Sequence, residues 1–138
     1  MPSRRALPIL AGPALAGLLC LAGCATGDPV DSSLKQAAAA QSSIVLAVDL
    51  LGEGKATLPA TRTTVDDALR ELASAEQSLG ESPTGRRIDQ IAALDDIRDA
   101  TDAALAARRE LDDPGTVSRH AAADLDDTAS ELRKAATS

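Results

Sequence analysis

From Val30 onward the apolar positions recur at steps of four and three. Val30, Leu34, Ala37, Gln41, Ile44, Val48 and Leu51 form the first such series, the spacing that keeps side chains on one packed face of a helix. Asp28 can cap this helix, Pro29 suits its first position, and Asp31 falls three residues after the cap. Gly52, Gly54 and Pro59 are expected to close it. Gln41 is the polar member of the stripe. The expected place for it is an edge that reaches solvent, and the alternative is a buried amide that fixes helix register.

Three further series follow. Thr63 with Asp66 predicts the cap of a second helix with Val65, Leu69, Leu72, Ala75 and Leu79 inward, Asp67, Arg70, Glu71 and Ser74 outward, and Gly80 at its end. Ser82-Pro83 is a cap and first-turn pair that opens the longest helix, over roughly residues 84–112. Ile91, Leu94, Ile97, Thr101, Ala104, Leu105 and Leu111 fall on one side of it, and Asp95, Asp96, Asp99, Asp102 and Glu110 on the other. Asp113-Pro114-Gly115 reads as a turn. Thr116 is then the expected cap of a last helix with Val117, Ala121, Leu125, Thr128, Leu132 and Ala136 inward, and with Arg133 and Lys134 where the helix dipole favours cations.

Helices joined by such short connections favour antiparallel neighbours, so the pattern predicts an all-α fold, a small antiparallel bundle of four helices. A three-helix core with the first helix partly detached is the alternative. No alternation of β-branched or aromatic residues suggests a sheet. Ala37, Ala38, Ala39 and Ala40 would allow close helix contacts but make little pocket.

The N-terminus follows another logic. Arg4 and Arg5 precede an uncharged run from Ala6 to Ala22 that is interrupted by Pro8, Gly12, Pro13 and Gly17. That run is shorter than the roughly 20 apolar residues of a spanning helix, and the order of basic then apolar segment is that of a secretory signal. At its end stands Leu21-Ala22-Gly23-Cys24. This resembles the lipobox of bacterial lipoproteins, in which a leucine and two small residues precede the cysteine that begins the mature chain. The resemblance covers only the first 24 residues. It implies that the Cys24 thiol receives a diacylglyceryl group and that cleavage falls just before it. The anchored protein would then sit on the extracytoplasmic side of a bacterial cell membrane. Two acyl chains give stable attachment where one is marginal. The expected organisation is a signal peptide over 1–23, an acylated cysteine and short tether over 24–28, and a helical domain over 29–138. The tether from Ala25 to Asp28 reaches on the order of 15 Å at most.

Composition narrows the function. Losing Arg4 and Arg5 from 14 basic residues leaves 12 against 21 acidic ones, a net charge of −9 for the mature chain. Such a surface argues against nucleic acid as a partner. Cys20 leaves with the signal peptide and Cys24 is taken by lipid, so no internal disulfide is expected. There is no Phe, Tyr or Trp, and Leu, Ile and Val number 22 in the mature chain, so the core is lean and lacks the side chains that dominate binding hot spots. High alanine content compensates through helix propensity.

Candidate chemistry is sparse. His120 is the only histidine and has no cysteine or second histidine to share a metal or a catalytic role. Gly52-Glu53-Gly54-Lys55-Ala56-Thr57 lacks the spacing of a phosphate-binding loop. Asp95, Asp99 and Asp102 occupy i, i+4 and i+7, with Asp124, Asp126 and Asp127 offered by the next helix. These acids lack the loop that a hard cation requires, so a solvated face or a docking surface for a basic protein partner is expected, with no metal or other cofactor. No hydroxyl has an evident base, and no enzyme is expected. The sequence favours an envelope adaptor, inhibitor or assembly accessory. A carrier or sensor for a small apolar ligand is the alternative, and a sizeable apolar cavity would favour it.

Overall fold

The computed structural model describes residues 28–82, 87–113 and 115–137. The expected signal segment, the lipobox-like stretch with Cys24, and Pro83 of the expected third cap lie outside the described residues. Four helices occupy the rest: α1 (Pro29–Gly52), α2 (Leu58–Gly80), α3 (Arg87–Asp112) and α4 (Arg119–Ala135), with no strand among the described residues. The antiparallel order is written in the cross-helix contacts. Gln36 near the start of α1 reaches Glu71 late in α2 at 2.7 Å, and Arg108 late in α3 reaches Asp66 early in α2 at 2.6 Å. α1 packs against all three other helices, whereas α2 and α4 do not touch. The first helix, like α3, is therefore in contact with every other helix and is not a detached arm. Alanines buried on α1 (Ala37, Ala40) and on α3 (Ala100, Ala104, Ala107) supply the short side chains that a close diagonal approach needs.

The helix starts show what the local sequence can and cannot announce. Asp28 Oδ1 accepts a hydrogen bond from the Val30 amide at 3.0 Å, the cap expected for α1. α2 departs from expectation by starting at Leu58, with Pro59 in its first turn, so Pro59 opens this helix and does not merely close the one before. Thr63 lies inside α2 and its hydroxyl donates to the Pro59 carbonyl at 3.0 Å. α4 is capped by Ser118, not Thr116. The Ser118 hydroxyl oxygen accepts from the Ala121 amide at 3.2 Å, while Glu110 at the end of α3 takes both the hydroxyl and the backbone N–H of Ser118. Glu110 thus clamps the α3–α4 turn, although the sequence placed it on a solvated face.

Ile44, Val65, Leu72, Leu79, Ile97, Leu111, Leu125 and Leu132 are fully buried, and alanines from α1, α3 and α4 fill the space between them. On α3 the buried face shares Ile97, Ala104 and Leu111 with the expected one but is rotated from it. Ile91 is 54% exposed and Leu105 also faces solvent, Leu94 is half-buried, and the interior is taken by Ala93, Ile97, Ala100, Ala104, Ala107 and Leu111. Apolar bulk misled because the narrow gap beside α1 accepts alanine better than isoleucine. Gln41 also departs from expectation. It is wholly buried, its Nε2 donates to Thr128 Oγ1 at 2.8 Å, and its Oε1 has no hydrogen-bond partner among the described residues.

The ends are closed by side chains from neighbouring helices. Gln90 Nε2 donates to the Leu79 carbonyl at the end of α2, and Arg62 Nε donates to the Leu111 carbonyl at the end of α3 at 3.1 Å. Gly115 turns the chain with φ +84°, and a Cβ there would meet Leu58 Cδ2 at 3.1 Å. No helix among the described residues is long and apolar enough to cross a membrane.

Candidate docking surface

Helical periodicity brings acids from two helices to one seam. Asp99 and Asp102 of α3 and Asp124 and Asp127 of α4 line a shallow groove floored by Ala103, Ala106 and Thr128. Towards the free end of α4 the groove continues between Asp96, Asp99, Asp127 and Glu131. Two of the three acids singled out from the sequence, Asp99 and Asp102, are therefore joined by partners from the next helix. Asp95 is set apart: its carboxylate lies 4.0 Å from Arg98, whose Nε donates to Glu76 of α2 at 2.9 Å. Asp126 also leaves the group, turning to the α1–α4 seam beside Ser42, Asp49 and Arg133. The sequence reading assigned no site role to Asp96 and passed over Glu131, although Glu131 follows Asp124 and Asp127 at i+7 and i+4, a spacing that carried the signal.

The electrostatics differ between the two seams of α3. Towards α2, a hydrogen bond from Arg108 holds the Asp66 carboxyl below its ordinary value, with Arg108, Arg70 and Arg62 adding attraction against a desolvation that works the other way. Arg108 also pairs with Asp112, and these two acids raise its own pKa further. Towards α4, carboxylate faces carboxylate. Burial first, and then the charges of Asp99, Glu131 and Asp95, push the Asp96 carboxyl up. No described side chain forms an ion pair with Asp96, Asp99, Asp102 or Asp127.

A separate cleft of about 910 Å³ opens at the end of the bundle where α1 begins and α4 finishes. Val30, Leu34, Ala92, Ala93, Ala135 and Ala136 give it an apolar floor, and Asp28, Asp31, Lys35, Asp89 and Asp96 stand around it. Asp96 lines both this cleft and the α3–α4 groove. Among the described residues the cleft is open to solvent and is not an enclosed cavity.

Little in the described residues resembles a reaction centre. His120 is highly exposed, with Nε2 3.5 Å from Asp124 Oδ2. The Ser42 and Ser43 hydroxyls donate to the Ala38 and Ala39 carbonyls of their own helix. Among the described residues, no three histidine, cysteine or acidic side chains are grouped so as to hold a metal ion.

No protein-family model, no curated protein and no solved structure matches the chain. The class is defined by the fold alone, a small four-helix bundle with an acidic seam.

Proposed function

We propose that this chain is a lipid-anchored, non-enzymatic adaptor of the bacterial cell envelope, held to the extracytoplasmic face of the membrane by acylated Cys24. The observation that carries the reading is Leu21-Ala22-Gly23-Cys24 behind a basic and then an uncharged segment. The partner in this reading is a protein with a basic surface, docked along the α3–α4 seam at Asp99 and Asp102, with Asp95 at its margin. Uncompensated acids on that seam support it, as does the net charge of −9 left after removal of residues 1–23. Electrostatic repulsion from anionic lipid keeps such a surface off the leaflet and open to proteins, an effect weakened as the Debye length falls to about 8 Å near physiological salt.

The carrier reading has the end cleft in its favour. Its open side and its carboxylates speak against an uncharged ligand, which an enclosed apolar cavity holds better.

Two measurements test the proposal. Cys24→Ser should abolish acyl labelling and shift the protein out of the membrane fraction; unchanged labelling and fractionation reject the anchor. Crosslinking in native membranes followed by mass spectrometry should lose a reproducible protein partner in Asp95→Asn/Asp99→Asn/Asp102→Asn at unchanged helicity. An unchanged partner set removes this face from the proposal.

A further inference from the structure

The end cleft and the acidic seam meet at Asp96, and their properties are complementary. The cleft offers apolar surface from three helices. The seam offers four carboxylates, Asp96, Asp99, Asp102 and Asp127, that no described side chain pairs, although Lys134 meets Glu131 at 3.7 Å. Around the cleft, two carboxylates are already engaged: Asp28 caps α1, and Asp31 holds Lys35 at 2.6 Å. Asp89 and Asp96 have no ion pair or side-chain hydrogen bond with any described residue. Asp96 is the more telling, because it is half-buried beside Asp99 and Glu131 and has no ion pair of its own, whereas Glu131 is met by Lys134 at 3.7 Å. A half-buried carboxylate among like charges is an unfavourable arrangement that a bound cation relieves. Apolar floor and uncompensated acid together describe an occupant that is both greasy and positive.

We propose that this cleft binds a basic amphipathic peptide segment of a partner protein. One apolar side chain rests against Leu34, Ala93 and Ala136, and its Lys or Arg neighbours meet Asp89 and Asp96 and continue along the seam to Asp99. The inference deepens the adaptor reading and rests on it for the identity of the partner as an envelope protein. Asp28 joins the tether to the cleft, so in the anchored protein the cleft lies within on the order of 15 Å of the bilayer. The segment it takes is accordingly one that lies close to the membrane surface.

The test uses the full chain, processed and anchored in nanodiscs of zwitterionic lipid, with three short synthetic peptides carrying a photo-crosslinker. The first alternates Leu and Lys at helical spacing, the second replaces its Leu by Ser, and the third replaces its Lys by Gln. After subtraction of binding to empty discs, the first peptide should crosslink to the cleft around Ala92 and Ala135. The other two should bind at least about tenfold more weakly. Asp89→Asn/Asp96→Asn should weaken the first peptide about tenfold, and Ala92→Arg, at an exposed position, should do the same without disturbing helicity. Asp67→Asn, on α2 and away from both cleft and seam, should change nothing.

Equal binding of the first and second peptides would mean general charge attraction and would overturn the inference. So would equal binding of the first and third, which would make the cleft a site for apolar groups, the acyl chains of Cys24 included. Indifference to both cleft variants would overturn it as well. The two proposals fail separately: loss of cleft-dependent binding in a protein that still fractionates with membranes sinks only this one, and a soluble, unacylated protein that keeps it sinks only the anchor.

Discussion

Gln41→Leu should make the protein more stable, although it removes a hydrogen bond. Gln41 is fully buried between α1 and α4, and only half of its amide is used: Nε2 donates to Thr128 Oγ1 at 2.8 Å while Oε1 has no partner among the described residues. The bond contributes about 1 kcal/mol, and an unpartnered buried acceptor costs about 1–3 kcal/mol. Leucine removes both and adds apolar surface, with a shape mismatch of less than about 1.5 kcal/mol for a swap of similar volume. Thr128 loses only an acceptor role, since its hydroxyl still donates to the Asp124 carbonyl at 2.8 Å. The expected net gain is about 1–2 kcal/mol, seen as a rise in Tm on the order of 5 °C. Thr128→Val in the wild type should act oppositely, because it strands Nε2 as well, and in the Gln41→Leu background it should be close to neutral. Thermal melts followed by circular dichroism measure all four proteins. A fall in Tm on Gln41→Leu would refute the reasoning, since the amide would then contribute more than its burial costs.

Other perturbations probe turns, faces and charge. Gly115→Ala should destabilise by about 1–2 kcal/mol, more than Gly54→Ala, because both have positive φ but only Gly115 would also press a Cβ against Leu58; equal denaturation midpoints would remove the crowding argument. Ile97→Asp should unfold most of the sample, Leu94→Asp less of it, and Asp95→Ala very little, because their burial falls in that order; near-equal circular dichroism losses would mean that the face of α3 is wrongly assigned. Asp96 has a raised pKa in the fold, so the native state holds its proton more tightly and stability contributed by this group declines as pH rises from the ordinary carboxylate value through the raised one. Asp96→Asn should flatten that decline and raise Tm at neutral pH, and a lowered Tm there would contradict it. Asp66 works in the opposite sense: its depressed pKa contributes stability above the ordinary carboxylate value that is lost as pH falls through the depressed one. Arg108→Ala should weaken that acid sensitivity in melts taken across the acidic range.

The sequence by itself determined the helical class, the number of helices and most of the buried leucines, because 3.6-residue periodicity and turn residues act within a single segment. It also determined the chain's charge and its lipobox-like motif. Local chemistry decided less than it promised at the helix starts, where Asp28 caps as expected while Thr63 and Thr116 yield to Leu58-Pro59 and Ser118. Only tertiary structure decided which face of α3 turns inward, since the space left beside α1 selects Ala100 and Ala104 over the bulkier Ile91 and Leu105. Only tertiary structure placed Gln41 opposite Thr128, two residues 87 positions apart in the chain. The same holds for the acids. Spacing could align Asp95, Asp99 and Asp102 on one helix, but the packing of α4 against one flank and α2 against the other sorts them. Asp99 and Asp102 join Asp124 and Asp127 across the α3–α4 seam, while Asp95 stays beside Arg98 at its margin. A helix wheel has no knowledge of its neighbours, and the field at a carboxylate comes chiefly from the charges packed around it.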